Sequence, residues 1–272
     1  MRTIIFGKDS NLTKTILKKD KSCISFSSRN VVSGDRSFIN YKNEKVNLLL
    51  NNFQTSSKLN NLSSPEKFIN NSILSTAQIL EEVNQLNVNK IIYVSSSSVY
   101  ANNSYASEND KLEPSSLYSA LKIANEILIA KFCEINNYDY TIARVFNMYG
   151  GFDRFSVIHK IIDSAKHNKI FHMANNGSGI RDFIHVDDVA SIVMKLFNHQ
   201  NISHINIGSG VGISVKEIVS LLGERLNKNL KVKNIATNEI SVSIADITLL
   251  KNTIKCNKFV NLHEYLLGEV NG

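Results

Sequence analysis

The chain has 272 residues, of which 43% are hydrophobic and 20% are charged, and its formal net charge at pH 7 is +7. This composition is ordinary for a folded protein and excludes a disordered, collagen-like or coiled-coil chain. The sequence has no apolar run of the roughly 18 residues that a membrane-spanning helix needs, and its first ten residues lack a signal-peptide pattern. We therefore expect a cytoplasmic protein without a membrane partner.

The positive charge and the cysteines bear on which binding partners and metal sites we expect. The densest group of lysines spans only residues 18–21, and aromatic residues do not alternate with basic ones as they do in nucleic-acid-binding surfaces. We therefore expect no nucleic-acid partner, although the charge is compatible with a phosphate-bearing small molecule. Cys23, Cys133 and Cys256 are widely spaced and predict free thiols. No His, Cys or acidic cluster has the spacing of a metal site, so no metal is predicted.

Apolar runs and helix-like segments alternate along the chain. In chain order the pattern predicts a strand at Thr3–Phe6, a helix at Asn11–Lys19, strands at Cys23–Ser27 and Val46–Leu50, a helix at Pro65–Leu86 with Ser64 as its N-cap, a strand at Ile91–Val94, a helix at Ser115–Ile135 and a strand at Tyr140–Val145. Further helices are predicted near Arg154–His167, Asp187–His199 and Ser214–Leu226. Because the strands are apolar without alternation, we predict an α/β fold, a Rossmann-like doubly wound parallel sheet followed by a smaller C-terminal α/β lobe.

The turn after the first strand is a weak version of a dinucleotide-binding turn. Such a turn has glycines at its first, fourth and seventh positions, and here Gly7 is followed by Ser10 and Thr13. The next helix can still offer backbone amides to a pyrophosphate, but taken alone the sequence fits an ordinary turn better. The second strand ends in Ser28-Arg29 without the acidic residue that favours NAD. These residues suit the 2′-phosphate of NADPH, and an exposed loop arginine explains them equally well.

A stronger signal lies in the middle of the chain. Four serines, residues 95–98, directly follow a buried strand, and Tyr118 and Lys122 come in the next predicted helix. Residues four apart lie on one helix face, and a nearby ammonium lowers the pKa of a phenol from about 10. Tyr118 is therefore predicted to act as an acid or base. The alternative is an ordinary surface pair, against which the serines supply a third polar group.

Five motifs stand in order along the chain: Ser95–Tyr100, Tyr118-xxx-Lys122, Arg144–Gly150, Arg181–Ala190 and Asn206–Gly210. Together they resemble the extended short-chain dehydrogenases/reductases, the family of nucleotide-sugar epimerases, dehydratases and reductases. The resemblance covers nearly the whole chain. It implies an NAD(P)-binding domain in residues 1–150 and a substrate-binding lobe mainly in residues 151–272, with the chain crossing back to the sheet.

The resemblance also implies roles for single residues. Ser96 would orient the sugar oxygen, Tyr118 would exchange the proton, and Lys122 would tune Tyr118 and hold the nicotinamide ribose. The expected cofactor contacts are Gly7, Ser10, Asn11, Leu12, Ser28, Arg29, Asp35, Asn52, Tyr118 and Lys122.

Substrate contacts are expected at Ser97, Asn147 and Arg181, the last two beside the substrate's diphosphate. A planar guanidinium suits phosphate oxygens. The alternative for Arg181 is a salt bridge to Asp182 or Asp187.

Several departures from the family pattern bear on the reaction. The glycine turn is weakened, the short connection before Val46 predicts a reduced or missing crossover helix on the adenine side, and no second arginine precedes Ala245-Asp246. Ser97 and Ser98 stand where a 4,6-dehydratase carries its acid pair, which argues against dehydration.

We therefore predict NADPH-dependent reduction of the C4 ketone of a 4-keto-6-deoxy nucleotide sugar, in deoxysugar or surface-polysaccharide biosynthesis. NADP(H) is the favoured cofactor and NAD(H) the alternative. A nucleotide-sugar 4-epimerase with tightly held NAD is the second reading, and a non-catalytic protein that binds NAD(P) or a sugar nucleotide is the third. The resemblance further implies a homodimer that pairs the Pro65–Leu86 and Ser115–Ile135 helices.

Overall fold

The structure is a computed structural model that describes residues 1–51, 65–101, 103–256 and 258–271. Its strands are β1 (Arg2–Phe6), β2 (Ile24–Phe26), β3 (Lys45–Leu50), β4 (Asn87–Ser96), β5 (Asn103–Ala106), β6 (Tyr140–Val145), β7 (Asn147–Tyr149), β8 (Phe171–Ala174), β9 (Ile180–His185), β10 (His204–Ile207), β11 (Gly212–Ser214), β12 (Val232–Ile235) and β13 (Val242–Ala245). Its α-helices are α1 (Asn11–Lys19), α2 (Ser28–Val32), α3 (Pro65–Ile69), α4 (Ser75–Val83), α5 (Leu117–Asn136), α6 (Val157–His167), α7 (Val186–Leu196), α8 (Val215–Arg225), α9 (Thr248–Ile254) and α10 (Leu262–Asn271).

Six parallel strands form the main sheet, in the order β10-β6-β4-β3-β1-β2. Helices cover both of its faces, which confirms the predicted Rossmann-like α/β fold. One face packs against α1, α7 and α9, and the other packs against α2, α4 and α5. Successive strand residues alternate between the two cores, as Ile4 and Ile5 do, and this explains why the strands are apolar without a polar alternate position.

The predicted elements of the first 150 residues are all present, with small shifts at their ends. The Pro65–Leu86 helix differs most, because a π-helical turn at Asn70–Leu74 joins α3 to α4. Its predicted N-cap, Ser64, lies outside the described residues. Only the five-residue helix α2 and a 3₁₀ turn at Ser37–Tyr41 connect β2 to β3, so the crossover is reduced as expected.

The two halves of the chain are interleaved. Strand β10, from the second half, pairs with β6 at the edge of the main sheet. Strand β5, from the first half, pairs with β13 in a second sheet of order β11-β9-β13-β5, while β8 and β12 form a separate pair. The crossing back to the main sheet is therefore seen directly, and the domain boundary near residue 150 stays a prediction.

A buried ion pair ties helix α5 to the main sheet. Arg144 on β6 donates from Nη2 to Glu126 Oε2 on α5 at 2.8 Å, and both side chains are almost fully buried. Ser95 at the end of β4 hydrogen-bonds the same carboxylate. Arg144 Nη1 also donates to Tyr100 Oη at 2.8 Å, and Tyr100 in turn donates to Asn206 Oδ1 at 2.7 Å. One polar network thus connects α5 with β4, β6 and β10.

Glu126→Gln removes the negative charge and leaves the buried Arg144 guanidinium without its counter-ion. Breaking a buried pair on one side is strongly destabilising, so we expect the free energy of unfolding to fall by about 3 kcal/mol. Chemical denaturation measures the change. Glu134→Gln is the matched control, because Glu134 lies on the same helix in an exposed pair with Lys131 and should change stability little. Equal losses in the two variants would contradict a special role for the buried pair.

Candidate active site

A cleft of about 1760 Å³ lies beyond the carboxyl ends of the parallel strands, where α/β sheets bind ligands. It extends from the first βα turn to the segment that precedes β13. All of the site residues predicted from the sequence line this cleft except Asp35 and Asn52. Asp35 lines a neighbouring pocket of about 350 Å³, and Asn52 lies outside the described residues.

The first βα turn keeps the one glycine that its geometry requires. Gly7 has φ of +114°, and a Cβ atom there would lie 2.0 Å from the carbonyl oxygen of Asn51. Ser10, in the second glycine position, caps α1: its Oγ accepts from Thr13 N at 3.0 Å and from Asn51 Nδ2 at 2.6 Å. Thr13, in the third position, is fully buried. Ser10 and Thr13, which stand where the family pattern has glycines, therefore hold the turn through side-chain hydrogen bonds in place of close backbone packing.

The next two predicted cofactor residues have different roles in the structure. The side chain of Asn11 bridges to the loop after β7, since Nδ2 donates to Gly150 O at 2.9 Å and Oδ1 accepts from Phe152 N at 2.8 Å. Leu12 is 1% exposed and packs into the core on α1, so its contribution to the cleft wall is small. Asn11 thus links the two sides of the cleft, a role the sequence did not indicate.

At the end of the cleft beside β2, Arg29 is paired with a carboxylate of the first turn. Its Nη2 atom lies 3.3 Å from Asp9 Oδ2, and both side chains are 70% exposed. Ser28 is nearly buried beside it. Asp35 accepts from Ser37 N at 2.9 Å and from Ser37 Oγ at 2.6 Å, which lowers the pKa of its carboxyl group. The ion pair with Asp9 is a partner for Arg29 that the sequence analysis did not consider.

Ser96, Tyr118 and Lys122 meet in the middle of the cleft. Ser96 Oγ accepts from Ser98 N at 3.2 Å, which leaves its own proton to donate, and Ser96 hydrogen-bonds the Tyr118 phenol. Lys122 is 5% exposed, donates from Nζ to Val94 O at 2.8 Å, and lies 5.8 Å from the centre of the Tyr118 ring. The predicted one-face arrangement of Tyr118 and Lys122 on α5 is present.

Burial controls the charge of both residues on α5. It raises the pKa of Tyr118 to about 12, although the Ser96 hydrogen bond lowers it. It lowers the pKa of Lys122 to about 8, against the attraction of Glu126 one helical turn away. The expectation that Lys122 brings the Tyr118 pKa below 10 was wrong for the protein alone, because the loss of hydration on burial outweighs the hydrogen bond with Ser96. Tyr118 is therefore a protonated phenol at neutral pH, the form of a proton donor.

The cleft wall beside the serines contains a strained residue. Ala101 has φ of +60° and ψ of −145°, a backbone conformation that is open almost only to glycine. It follows the 3₁₀ turn Ser97–Tyr100 and lines the cleft. Ser97 lies in the same turn, partly buried, and also lines the cleft.

At the other end of the cleft, Arg181 on β9 forms an ion pair that the sequence analysis did not consider. Its Nη2 atom lies 3.1 Å from Glu239 Oε2. The two alternative partners were wrong: Asp182 accepts backbone amides from Ser209, Gly210 and Ala245, and Asp187 pairs with Lys19 at 3.1 Å.

Asn147 on β7 lies close by and donates from Nδ2 to Asp182 O at 3.0 Å. The fully buried Asp182 therefore holds this end of the cleft together. In the sequence, the Gly208-Ser209-Gly210 motif is the signal for the backbone amides that bind the Asp182 carboxylate.

The described part of the chain contains neither a cluster of metal ligands nor a membrane-spanning helix. No group of three or more His, Cys, Asp or Glu side chains there is arranged to hold a metal ion. None of the helices in that part of the chain is long and apolar enough to cross a membrane.

Lys122→Met should stabilise the protein while removing the buried charge. With a pKa near 8 in the folded chain and 10.5 otherwise, the ammonium costs stability at pH 7, and this cost disappears as the pH rises toward 10.5. Allowing for the lost hydrogen bond to Val94, we expect a gain of roughly 1 kcal/mol, or a Tm about 2–4 °C higher. Thermal unfolding at pH 7 measures this gain.

The wild type, but not Lys122→Met, should also gain stability between pH 8 and 10. Lys131→Met, an exposed change on the same helix, is the control. A lower Tm for Lys122→Met than for the wild type would contradict the cost assigned to the buried ammonium.

Comparison with known proteins agrees with this geometry. The family model described as the NAD dependent epimerase/dehydratase family matches residues 10–208. A curated relative, UDP-glucuronate 4-epimerase of Thermodesulfobacterium geofontis, is 27% identical over 216 residues, which are 77% of this chain and 67% of that protein. Matches to the first eight curated relatives cover between 42% and 67% of their lengths.

Solved structures share the fold over the whole chain. MoeE5 in complex with UDP-glucuronic acid and NAD superposes with a TM-score of 0.89 at 20% identity, over 100% of this chain and 98% of that one. UDP-glucose 4-epimerase of Thermus thermophilus, in complex with NAD, superposes with a TM-score of 0.87 at 17% identity and the same coverage. At such identities the superpositions establish the fold, and the family match covers most of the sequence. This chain belongs to the NAD dependent epimerase/dehydratase family.

Proposed function

We propose that this protein is an NAD-dependent 4-epimerase of a UDP-sugar. The observation that carries the proposal is the cleft that places Ser96, Tyr118 and Lys122 between the first βα turn and Arg181. The similarity to UDP-glucuronate 4-epimerase supports it. So do the fold neighbours that bind NAD together with UDP-glucuronic acid or UDP-glucose.

The residues of the first turn fit a dinucleotide. Gly7 leaves no Cβ atom between the turn and Asn51, and the N-terminus of α1 follows directly with Ser10 as its cap. Such a helix end binds phosphate groups through its free amides. NAD, when bound, supplies reversible hydride acceptance from the sugar carbon, and the residues of this chain supply the binding, orientation and proton transfer.

Acid–base chemistry falls to Tyr118 and Ser96. The phenol exchanges a proton with the C4 hydroxyl of the sugar, and the Ser96 hydroxyl, already bonded to Tyr118, orients that oxygen. Lys122, held by Val94 O, is the cation that stabilises the phenolate when Tyr118 has given up its proton. Since burial favours the neutral phenol, the return of a proton to the sugar oxygen, which leaves a buried phenolate, depends on this cation.

The substrate's diphosphate is proposed to bind beside Arg181 and Asn147. Both line the cleft on the side away from the first turn, and Arg181 is mostly buried against β9 and the segment before β13. A guanidinium in a partly dehydrated wall binds phosphate oxygens more strongly than one in water. Ser97 and Ser98 in place of an acid pair still argue against dehydration.

The choice between epimerase and ketoreductase depends on the cofactor end of the cleft. Arg29 was predicted to bind the 2′-phosphate of NADPH, yet Asp9 lies 3.3 Å from it and would repel a phosphate there. This pairing, with the NAD-binding fold neighbours, favours NAD over NADP. Reduction of a 4-keto sugar by NADPH therefore stays the second candidate, supported by Arg29 and Ser28 alone.

Exposed apolar side chains support a homodimer through the α3–α5 region. Ile69 is 47% exposed on α3, Leu74 is 37% exposed on the π-helical turn and Ile127 is 57% exposed on α5. These helices are the pair that the family resemblance assigns to the interface. Cytoplasmic location likewise stays a prediction.

Incubation of the purified protein with UDP-glucuronic acid or UDP-glucose and NAD tests the proposal. We expect the C4 epimer to form, by chromatography, without net change in nicotinamide absorbance. Tyr118→Phe should lower the rate by about 10²–10⁴-fold with NAD binding retained. Tyr138→Phe is the control, because its hydroxyl bonds Asn84 at the opposite end of the sheet.

Consumption of NADPH by a 4-keto-6-deoxy nucleotide sugar, with no epimer formed from UDP-sugars, would favour the ketoreductase. Binding of NAD and UDP-sugars without turnover would favour the non-catalytic reading.

A further inference from the structure

The Arg181–Glu239 pair places a carboxylate on the one cleft arginine proposed for the diphosphate. Arg181 Nη1 donates to Ile180 O at 2.9 Å, and Nη2 donates to Glu239 Oε2 at 3.1 Å. The arginine side chain is 14% exposed and the glutamate side chain 33%, and both residues line the cleft. The pair therefore neutralises a cation within the cleft wall and not on an open surface.

Glu239 and a diphosphate would compete for the same guanidinium. Both are anions that accept from the outer edge of an arginine, and like charges repel strongly when they are partly shielded from water. A carboxylate at hydrogen-bonding distance thus lowers the affinity of Arg181 for a second anion. A diphosphate that takes this Nη2 contact displaces Glu239 from it.

The chain around Glu239 allows such a movement. Residues 236–240 have no helix or strand, and most of them are exposed. The segment is fixed at its start by paired hydrogen bonds between Thr237 and Asn175, at 2.8 and 2.9 Å. At its end the carbonyl of Ser241 accepts from the first amide of β9 at 2.9 Å. Between these two points the carboxylate reaches the cleft wall at Arg181, so Glu239 can shift without breaking the sheet.

We propose that Glu239 is a built-in competitor of the substrate's diphosphate for Arg181 and sets the affinity of the site for nucleoside diphosphates. The inference rests on the proposed function, because it takes Arg181 as the diphosphate ligand. It adds that substrate binding exchanges one anion on Arg181 for another, with Glu239 moving aside on residues 238–240.

Calorimetric titration of UDP into wild type, Glu239→Gln and Arg181→Met tests this exchange. Glutamine keeps the size of Glu239 and loses its charge, so we expect E239Q to bind UDP about 3–10-fold more tightly, in the range for a partly exposed pair. Binding of NAD, proposed at the first turn, should be unchanged. The gain should vanish when E239Q is combined with Arg181→Met, as coupling through one contact requires.

Glu44→Gln controls for the change in net charge. Glu44 pairs with Arg2 at 2.9 Å, at the amino end of β1 and away from the cleft, so this variant should bind UDP like the wild type. Equal or weaker UDP binding by E239Q would overturn the inference, as would a gain that persists in the Arg181→Met background.

Failures of the proposed function give different results. UDP binding that is unaffected by Arg181→Met would remove Arg181 from the diphosphate site, and the competition with it. NAD binding without UDP binding in wild type or E239Q would overturn the nucleotide-sugar substrate itself, together with the inference.

Discussion

The buried pair between Glu126 and Arg144 is the constraint on which the rest of the site depends. A carboxylate and a guanidinium can be buried together only when the remaining donors and acceptors are satisfied, and here Ser95, Tyr100 and the carbonyl of Glu108 supply further partners. The side chains of this network come from α5 (Glu126), β6 (Arg144), the end of β4 (Ser95) and the 3₁₀ turn that follows it (Tyr100). Fixing them fixes the distance between the serine strand and the helix that carries Tyr118 and Lys122. The motifs that identify the family are thus physically joined, because most of them contribute a member of one network.

This anchoring lets the fold accommodate Lys122, whose buried ammonium lowers the stability of the folded chain. Burial lowers the pKa of Lys122 to about 8 and raises that of Tyr118 to about 12, so the folded chain resists charge on both. Glu126, one turn along α5 from Lys122, opposes this for the lysine. The same carboxylate therefore holds the helix to the sheet and favours the charged form of Lys122. The burial of Lys122 is destabilising, and the Glu126–Arg144 network elsewhere in the fold compensates for it.

The sequence predicted well what depends on local pattern. The main-sheet strands through β6, the helices α1 and α5, and the Ser96–Tyr118–Lys122 constellation follow from apolar runs and from spacing on a helix. It did not predict the short strands β5 and β7 to β13, which exist through pairing between distant segments. Nor could it show that Ser10 rebuilds the turn through Asn51, or that burial raises the pKa of Tyr118. Both depend on which side chains the fold brings within hydrogen-bonding distance.

Both ends of the cleft carry an arginine–carboxylate pair, but the two pairs differ in their exposure to water. Each has an arginine paired with a carboxylate, Arg29 with Asp9 at 3.3 Å and Arg181 with Glu239 at 3.1 Å. The first pair is 70% exposed on both sides, so water screens its charges. The second lies in the wall, where screening is weaker. In a chain of net charge +7, nonspecific attraction already brings anions to the cleft. Selection among them therefore depends on the local carboxylates, and most strongly on the one that shares Arg181.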